Sequence, residues 1–198
     1  MTDRTQLSDK EFLRRVAEVL EAGIDLIQLR EKGTPTQELV GIAEQLMQIK
    51  RRPSQKILIN DRLDVALGLN FDGIHLGQSS FPAAEVRKCV PKNFLVGVST
   101  HHVAEAVQAE KAGADYVIFG PIFPTPSKLK YGLPQGTARL GEVVRALTIP
   151  VLAIGGISLA NFEECLAMGC AGIAAISMFQ GQNSIPDIIQ RLHSYPSP

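Results

Sequence analysis

Apolar and polar positions along the chain follow two alternating periods. Phe12, Val16, Val19 and Leu20 recur at helical spacing behind Ser8-Asp9-Lys10-Glu11, an N-cap with an acidic first turn, and Gly23 ends that helix. Leu26-Ile27-Gln28-Leu29-Arg30 then reads as a short strand. Thr36 is expected to cap a second helix with Leu39, Val40, Ala43, Leu46 and Met47 inward. The later strands are Ile57–Ile59, Gly73–Leu76, Phe94–Ser99, Tyr116–Gly120, Val151–Ile154 and Gly172–Ile176. Between and after them, helices are predicted over Leu63–Leu69, Pro82–Val90, Val103–Ala112, Gly136–Leu147, Ser158–Met168 and Pro186–His193.

Ala22-Gly23-Ile24-Asp25, Phe71-Asp72-Gly73-Ile74, Ala112-Gly113-Ala114-Asp115 and Met168-Gly169-Cys170-Ala171 read alike. Each follows a helix and precedes an apolar strand, and glycine suits the left-handed turn between them. Strands alternating with helices of this length imply a parallel sheet with right-handed crossovers. Seven strands follow the first helix; an eighth should precede it, where only Met1-Thr2 is available. The expected fold is α/β, a (β/α)8 TIM barrel with a truncated first strand, as one domain over 1–198; a start further upstream is the other account of the missing strand. A doubly wound open sheet is the runner-up, but no GxGxxG turn follows an early strand.

Composition narrows the function. The 198 residues are 45% hydrophobic with zero formal net charge, which suits one sizeable core and offers no basic field for nucleic acid or a membrane surface. No apolar run reaches membrane-spanning length and the start lacks a signal-peptide segment. Cys89, Cys165 and Cys170 match no zinc spacing and read as reduced thiols of a cytoplasmic protein, none of them a nucleophile.

In a barrel the strand C-termini share one rim, and that rim carries the chemistry. Here it collects Gln28, Arg30 and Lys32; Asn60, Asp61 and Arg62; His75, Gln78 and Ser80; Ser99 and His101; Thr125, Ser127 and Lys128; Gly155-Gly156; and Ile176-Ser177. Cations and hydroxyls with one carboxylate fit a phosphorylated small molecule better than a hydrolase triad. Thr125, Ser127 and Lys128 lie in a Pro- and Gly-rich loop too long for an ordinary connector. The turns at Gly155-Gly156 and Ile176-Ser177 are expected to offer backbone N–H groups to phosphate, against the alternative of two ordinary turns. Lys32 and Lys128, supported by Arg30, could clamp a more highly charged group. Asp61 is the rim carboxylate to offer Mg²⁺, or else a helix cap. His101 is placed to move a proton, Gln78 to hydrogen-bond an amino group on a ring, and His75 to be a hydrogen-bonded barrel residue.

Together QLREK (Gln28–Lys32), NDRLDVA (Asn60–Ala66), DGIHLGQ (Asp72–Gln78), GVSTH (Gly97–His101), GADYVIFGPIFPTPSK (Gly113–Lys128) and PVLAIGGI (Pro150–Ile157) resemble the thiamine-phosphate synthase/TenI family, in order and over nearly the whole chain. The resemblance implies a (β/α)8 barrel that joins hydroxymethylpyrimidine diphosphate to thiazole phosphate through a dissociative reaction, with pyrophosphate released. It implies pyrophosphate and Mg²⁺ against Arg30, Lys32, Asn60, Asp61, Ser99 and Lys128. Thiazole phosphate would face Thr125, Ser127 and the Gly156 and Ser177 turns, and the pyrimidine would lie near Gln28. Lys32, Ser99, His101 and Lys128 are the catalytic candidates. The synthases' second Mg²⁺ carboxylate is replaced by Ser79-Ser80, which implies weaker metal binding. The alternatives are a TenI-type thiazole tautomerase, with His101 moving the proton, and a non-catalytic phosphate-binding regulator. A homodimer closing the gap of the short first strand is also possible on this reading.

Overall fold

The computed structural model describes residues 1–4, 7–125, 133–180 and 184–195. Strand and helix alternate: α1 (Asp9–Ala22), β1 (Leu26–Leu29), α2 (Thr36–Met47), β2 (Lys56–Asn60), α3 (Leu63–Gly68), β3 (Gly73–Leu76), α4 (Ala83–Cys89) and β4 (Leu95–Thr100). The second half adds α5 (Val103–Lys111), β5 (Tyr116–Phe119), α6 (Gly136–Ala146), β6 (Val151–Ile154), α7 (Phe162–Leu166), β7 (Gly172–Ala174), a 3-10 turn at Ser177–Phe179 and α8 (Ile185–His193). The strands form one parallel seven-stranded sheet in the order β1 to β7, curled as in a TIM barrel.

Side-chain alternation divides the core. Outward strand residues such as Ile27, Leu29, Ile57, Ile59 and Ile74 pack with Phe12, Leu20, Leu39 and Leu46 of the helices. Val117, Phe119, Val151 and Ala153 do the same against Leu140, Val143, Phe162 and Ile188. The inward face carries a smaller apolar layer, Leu58, Tyr116 and Ile118 with Leu26, Leu95 and Leu152.

Between β1 and β7 the place of an eighth strand is held by the first two residues. Thr2 donates its N–H to the Gln28 carbonyl at 2.9 Å, and the Met1 amino group donates to the Ala175 carbonyl at 3.3 Å. Beneath this bridge lies a cavity of about 1330 Å³ lined by α1, α8 and the lower strand residues Leu26, Leu95, Tyr116 and Leu152. It is largely apolar, although Gln28 also lines it.

Several local expectations change. Ser8 caps α1, its Oγ accepting from the Glu11 N–H. Pro35, however, is the N-cap of α2, and the Thr36 hydroxyl instead accepts from Arg62 at 3.2 Å. Left-handed glycines close α1, α5 and α7 (Gly23, Gly113 and Gly169), whereas after α3 that role falls to Asn70 at φ 56° and Gly73 starts the strand. Ser158 opens a turn, with Asn161 as the N-cap of a short α7. The last strand ends at Ala174, two residues before Ile176.

Candidate active site

Towards the strand C-termini the inward face turns from apolar to polar, with Gln28, Asn60, His75 and Ser99 in succession on β1 to β4. Gln28 is buried and donates Nε2–H to Asn60 Oδ1 at 3.0 Å; Asn60 in turn donates to Asp61 Oδ2 at 2.6 Å. Gln28 Oε1 is buried with no hydrogen-bond partner among the described residues. Such an unmet acceptor is costly in a core, and a donor from a bound ligand would meet it.

Asp61 takes a left-handed backbone, φ 62°, uncommon outside glycine. Its N–H reaches the His75 carbonyl at 3.0 Å while the Arg62 N–H turns back to the Asn60 carbonyl at 2.8 Å, which points the carboxylate along the rim. Ser80 Oγ donates to Asp61 Oδ1 and accepts the Gly77 N–H at 2.5 Å, fixing the loop after β3 to the loop after β2. Lys32, Asn60, Asp61 and Arg62 line one depression of about 360 Å³ with Glu31 and Thr34. Arg62 is engaged by Asp64 through two contacts, 2.6 and 2.9 Å. The side chains of Arg30 and Lys32 have no ion-pair partner among the described residues, as suits cations held for an anionic ligand. Thr2 secures their loop, accepting the Arg30 N–H at 2.9 Å and donating to Glu31 Oε1 at 2.7 Å. Glu31 is also met by Arg4, and burial raises its carboxyl above the ordinary range.

His75 stands at the centre of the barrel mouth, 2% exposed, with Nε2 2.8 Å from Ser99 Oγ and Nδ1 3.1 Å from the Tyr116 hydroxyl. Burial lowers its pKa to about 4, so the ring is neutral at physiological pH; the Asp61 carboxylate and the Arg30 guanidinium act on it in opposite senses. His101 lies one strand end further round. Its N–H donates to Glu105 Oε2 at 2.7 Å and its Nδ1 is 3.6 Å from the same carboxylate, while Gln78 Nε2 reaches Glu105 Oε1 at 3.4 Å. Gln78 is therefore tied to α5 on the exposed rim. Glu105 was missed by the sequence reading, although an acidic residue three positions after the N-cap is the usual signal for a side chain that reaches back.

The β5 to β7 side is built differently. Past β5 the loop continues the ladder, Ile122 N–H to the Ile154 carbonyl at 2.9 Å and Phe123 N–H to the Gly155 carbonyl at 3.0 Å. A Cβ on Gly155 would lie 2.5 Å from Pro121 Cβ, and one on Gly156 2.7 Å from the Pro124 carbonyl oxygen. The paired glycines are thus demanded by the loop that brings Thr125 to the rim, a structural reason beside the ligand approach expected of them. Ile176 lines the apolar cavity and precedes the 3-10 turn that Ser177 begins, so the Ile176-Ser177 backbone is a turn and not a strand end. Ser127 and Lys128 lie outside the described residues.

A divalent cation would find one carboxylate here. No group of three or more His, Cys, Asp and Glu able to hold a metal exists among the described residues. Both Asp61 oxygens already accept hydrogen bonds, from Ser80 and Asn60. That donor set fits Mg²⁺ shared with substrate phosphates and water, and does not fit a resident all-protein site. The buried Cys165 thiol is pushed up to about 12 by desolvation, in keeping with an inert packing role.

The sequence model of the family described as thiamine monophosphate synthase (TMP-TENI) matches residues 1–179. The chain belongs to the thiamine monophosphate synthase family. A putative thiamine-phosphate synthase of Geobacter sulfurreducens is 42% identical over 89% of this chain and 83% of its own length. A thiamine-phosphate synthase of Clostridium novyi is 41% identical over 89% and 87%. Among solved structures, thiamine phosphate pyrophosphorylase from Pyrococcus furiosus superposes with a TM-score of 0.82 at 36% identity, covering 91% of this chain and 87% of that one. An N-acetylmannosamine-6-phosphate 2-epimerase from Clostridium perfringens, TM-score 0.65 at 15% identity over 99% of this chain and 90% of that one, shares the fold alone.

Proposed function

We propose that the chain is a cytoplasmic thiamine-phosphate synthase, a transferase that joins hydroxymethylpyrimidine diphosphate to thiazole phosphate with loss of pyrophosphate. The observation that carries this is the gathering of Lys32, Asn60 and Asp61 in one depression, with Asn60 hydrogen-bonded to Gln28, whose buried Oε1 is unmet among the described residues. In this reading Gln28 Oε1 accepts from the amino group of the pyrimidine, fixing the ring at the barrel axis. Lys32 and Arg30, with Lys128 from the long loop, hold the diphosphate and stabilise the charge that leaves. Ser99 donates a hydrogen bond to the same group. Mg²⁺, bound by Asp61 together with the diphosphate, would supply further neutralisation of that charge. The pyrimidine cation left behind is captured by the thiazole nitrogen, whose phosphate lies towards Thr125, Ser127 and the turns at Gly155, Gly156 and Ser177.

The tautomerase reading rests on His101, whose imidazole lies beside Glu105. A proton shuttle of that kind has little use for the Arg30 and Lys32 clamp, which favours the synthase. One assay separates the readings: purified protein with both phosphorylated precursors and Mg²⁺ forms thiamine phosphate and pyrophosphate. Aromatisation of the thiazole carboxylate phosphate tautomer without coupling, lost on His101→Ala, would instead establish the tautomerase. Ligand-dependent melting with neither activity would indicate a binding protein.

A further inference from the structure

His75 is buried and is flanked by two hydroxyls, one on the adjacent β4 and one on β5 beyond it, which gives its ring a direction. Asn60, His75, Gly97 and Tyr116 are register partners across β2, β3, β4 and β5. Tyr116 could not reach His75 across β4 if position 97 carried a side chain, because a Cβ there would fall within 2.5 Å of the ring carbon Cε1. The gap at Gly97 therefore lets a phenol from β5 bond a histidine on β3, with Ser99 of β4 on the other ring nitrogen.

The order of donors along this chain follows from what surrounds each end. Among the described residues the Tyr116 oxygen has His75 Nδ1 as its one hydrogen-bond partner, and it lies over Gly97 while the residue packs in the apolar layer with Leu58 and Ile118. Were Nδ1 to carry the proton and donate to Tyr116, the phenol's own proton would be left unmet in that layer, the more costly arrangement for a buried donor. With Tyr116 donating to Nδ1, the ring proton sits on Nε2 and is given to Ser99 Oγ. Ser99, half-buried at the mouth, then has its own proton to give outward.

We infer that Tyr116 and His75 are positioning residues that lock Ser99 as a hydrogen-bond donor to the departing anionic group. This deepens the synthase reading and rests on it for the role of Ser99. The chain carries no net proton movement: each hydrogen bond keeps its donor through the turnover, and only the acceptor facing Ser99 changes charge.

The test has two independent arms. Nitrogen-15 NMR of the imidazoles in the intact protein at neutral pH reads the tautomer directly and needs no variant; an Nε2–H tautomer for His75 is expected, and Nδ1–H overturns the inference. Kinetically, His75→Leu should lower kcat about 10²-fold with KM for the pyrimidine diphosphate nearly unchanged, on the scale of losing one preorganised donor. His75→Gln, which keeps an amide N–H near the place of Nε2, should recover most of that loss. In a Ser99→Ala background His75→Leu should add nothing, since the two act as a unit. An equal further loss there would mark His75 as merely structural and overturn the inference. Full activity of Ser99→Ala overturns the synthase role of Ser99, and the inference with it, whichever tautomer is found; an Nδ1–H tautomer overturns the inference alone.

Discussion

Gly97→Ala tests the packing on which the mouth depends. The new Cβ would meet Tyr116 Cε1 at 2.5 Å, with Cζ and the hydroxyl nearer still, against an ordinary carbon–carbon contact of about 3.5–4 Å. The ring must move by about 1 Å or more to restore that contact distance. It is 6% exposed and wedged among Leu58 and Ile118, so neighbours move with it, and the 3.1 Å bond to His75 is lost. Overpacking costs about 1–3 kcal/mol and a buried unmet imidazole nitrogen a further 1–3, with roughly 0.5–1 returned by the stiffer unfolded chain. A net loss of about 1–5 kcal/mol is expected, or a fall in Tm of roughly 2–20 °C for a chain of this size. Urea unfolding followed by circular dichroism measures it, with Tyr116→Leu and the double variant as controls. Because the clash needs both residues, Gly97→Ala should be far milder when Tyr116 is already leucine. Stability within about 0.5 kcal/mol of the parent for Gly97→Ala, or strict additivity in the double variant, would refute the reasoning.

Acid should expose His75. Its folded pKa, about 4, lies below the ordinary 6.5, so between these values the unfolded chain takes up the proton first. Stability conferred by the neutral ring is therefore present above 6.5 and lost as pH falls towards 4, by about 3 kcal/mol in all. Urea midpoints from pH 7 to 4.5 should fall less steeply in His75→Gln than in the parent, and equal slopes would count against the assignment. Lys32→Ala should reduce kcat/KM about 10²–10³-fold while leaving stability within about 0.5 kcal/mol, since the side chain is exposed; unimpaired turnover would remove it from the site. Ser80→Asp replaces the hydroxyl that donates to Asp61 with a second carboxylate, so activity should saturate at lower Mg²⁺; an unchanged metal titration argues against Asp61 as ligand.

The strands were legible because they are nearly unbroken apolar runs, buried on both faces, as in Ile57-Leu58-Ile59 and Tyr116-Val117-Ile118-Phe119, and seven of them alternating with helices leave few arrangements. Their polar inward residues could be assigned to one rim from the barrel alone, which is why the inward placement of Gln28, Asn60 and Ser99 was legible without coordinates. Contacts between loops were not legible. Nothing in the spacing of Asp61 and Ser80 shows that one donates to the other, nor that Asp64 would divert Arg62. Tyr116 over Gly97 depends on the register of three strands, which a linear pattern does not contain. Gly73 misled because its neighbours resemble those of the other helix-closing glycines, while Asn70 tolerates the same left-handed backbone.

The seam between the first and last strands has a practical corollary for handling the protein. The Met1 amine is desolvated there, its pKa lowered to about 6, and its bond to Ala175 belongs to the barrel wall. Residues appended ahead of Met1 by a cloning vector would leave the amine's place to an amide and begin their course inside the wall, next to the loop that carries Arg30 and Lys32. An affinity handle carried at the opposite terminus, after α8, leaves this seam untouched.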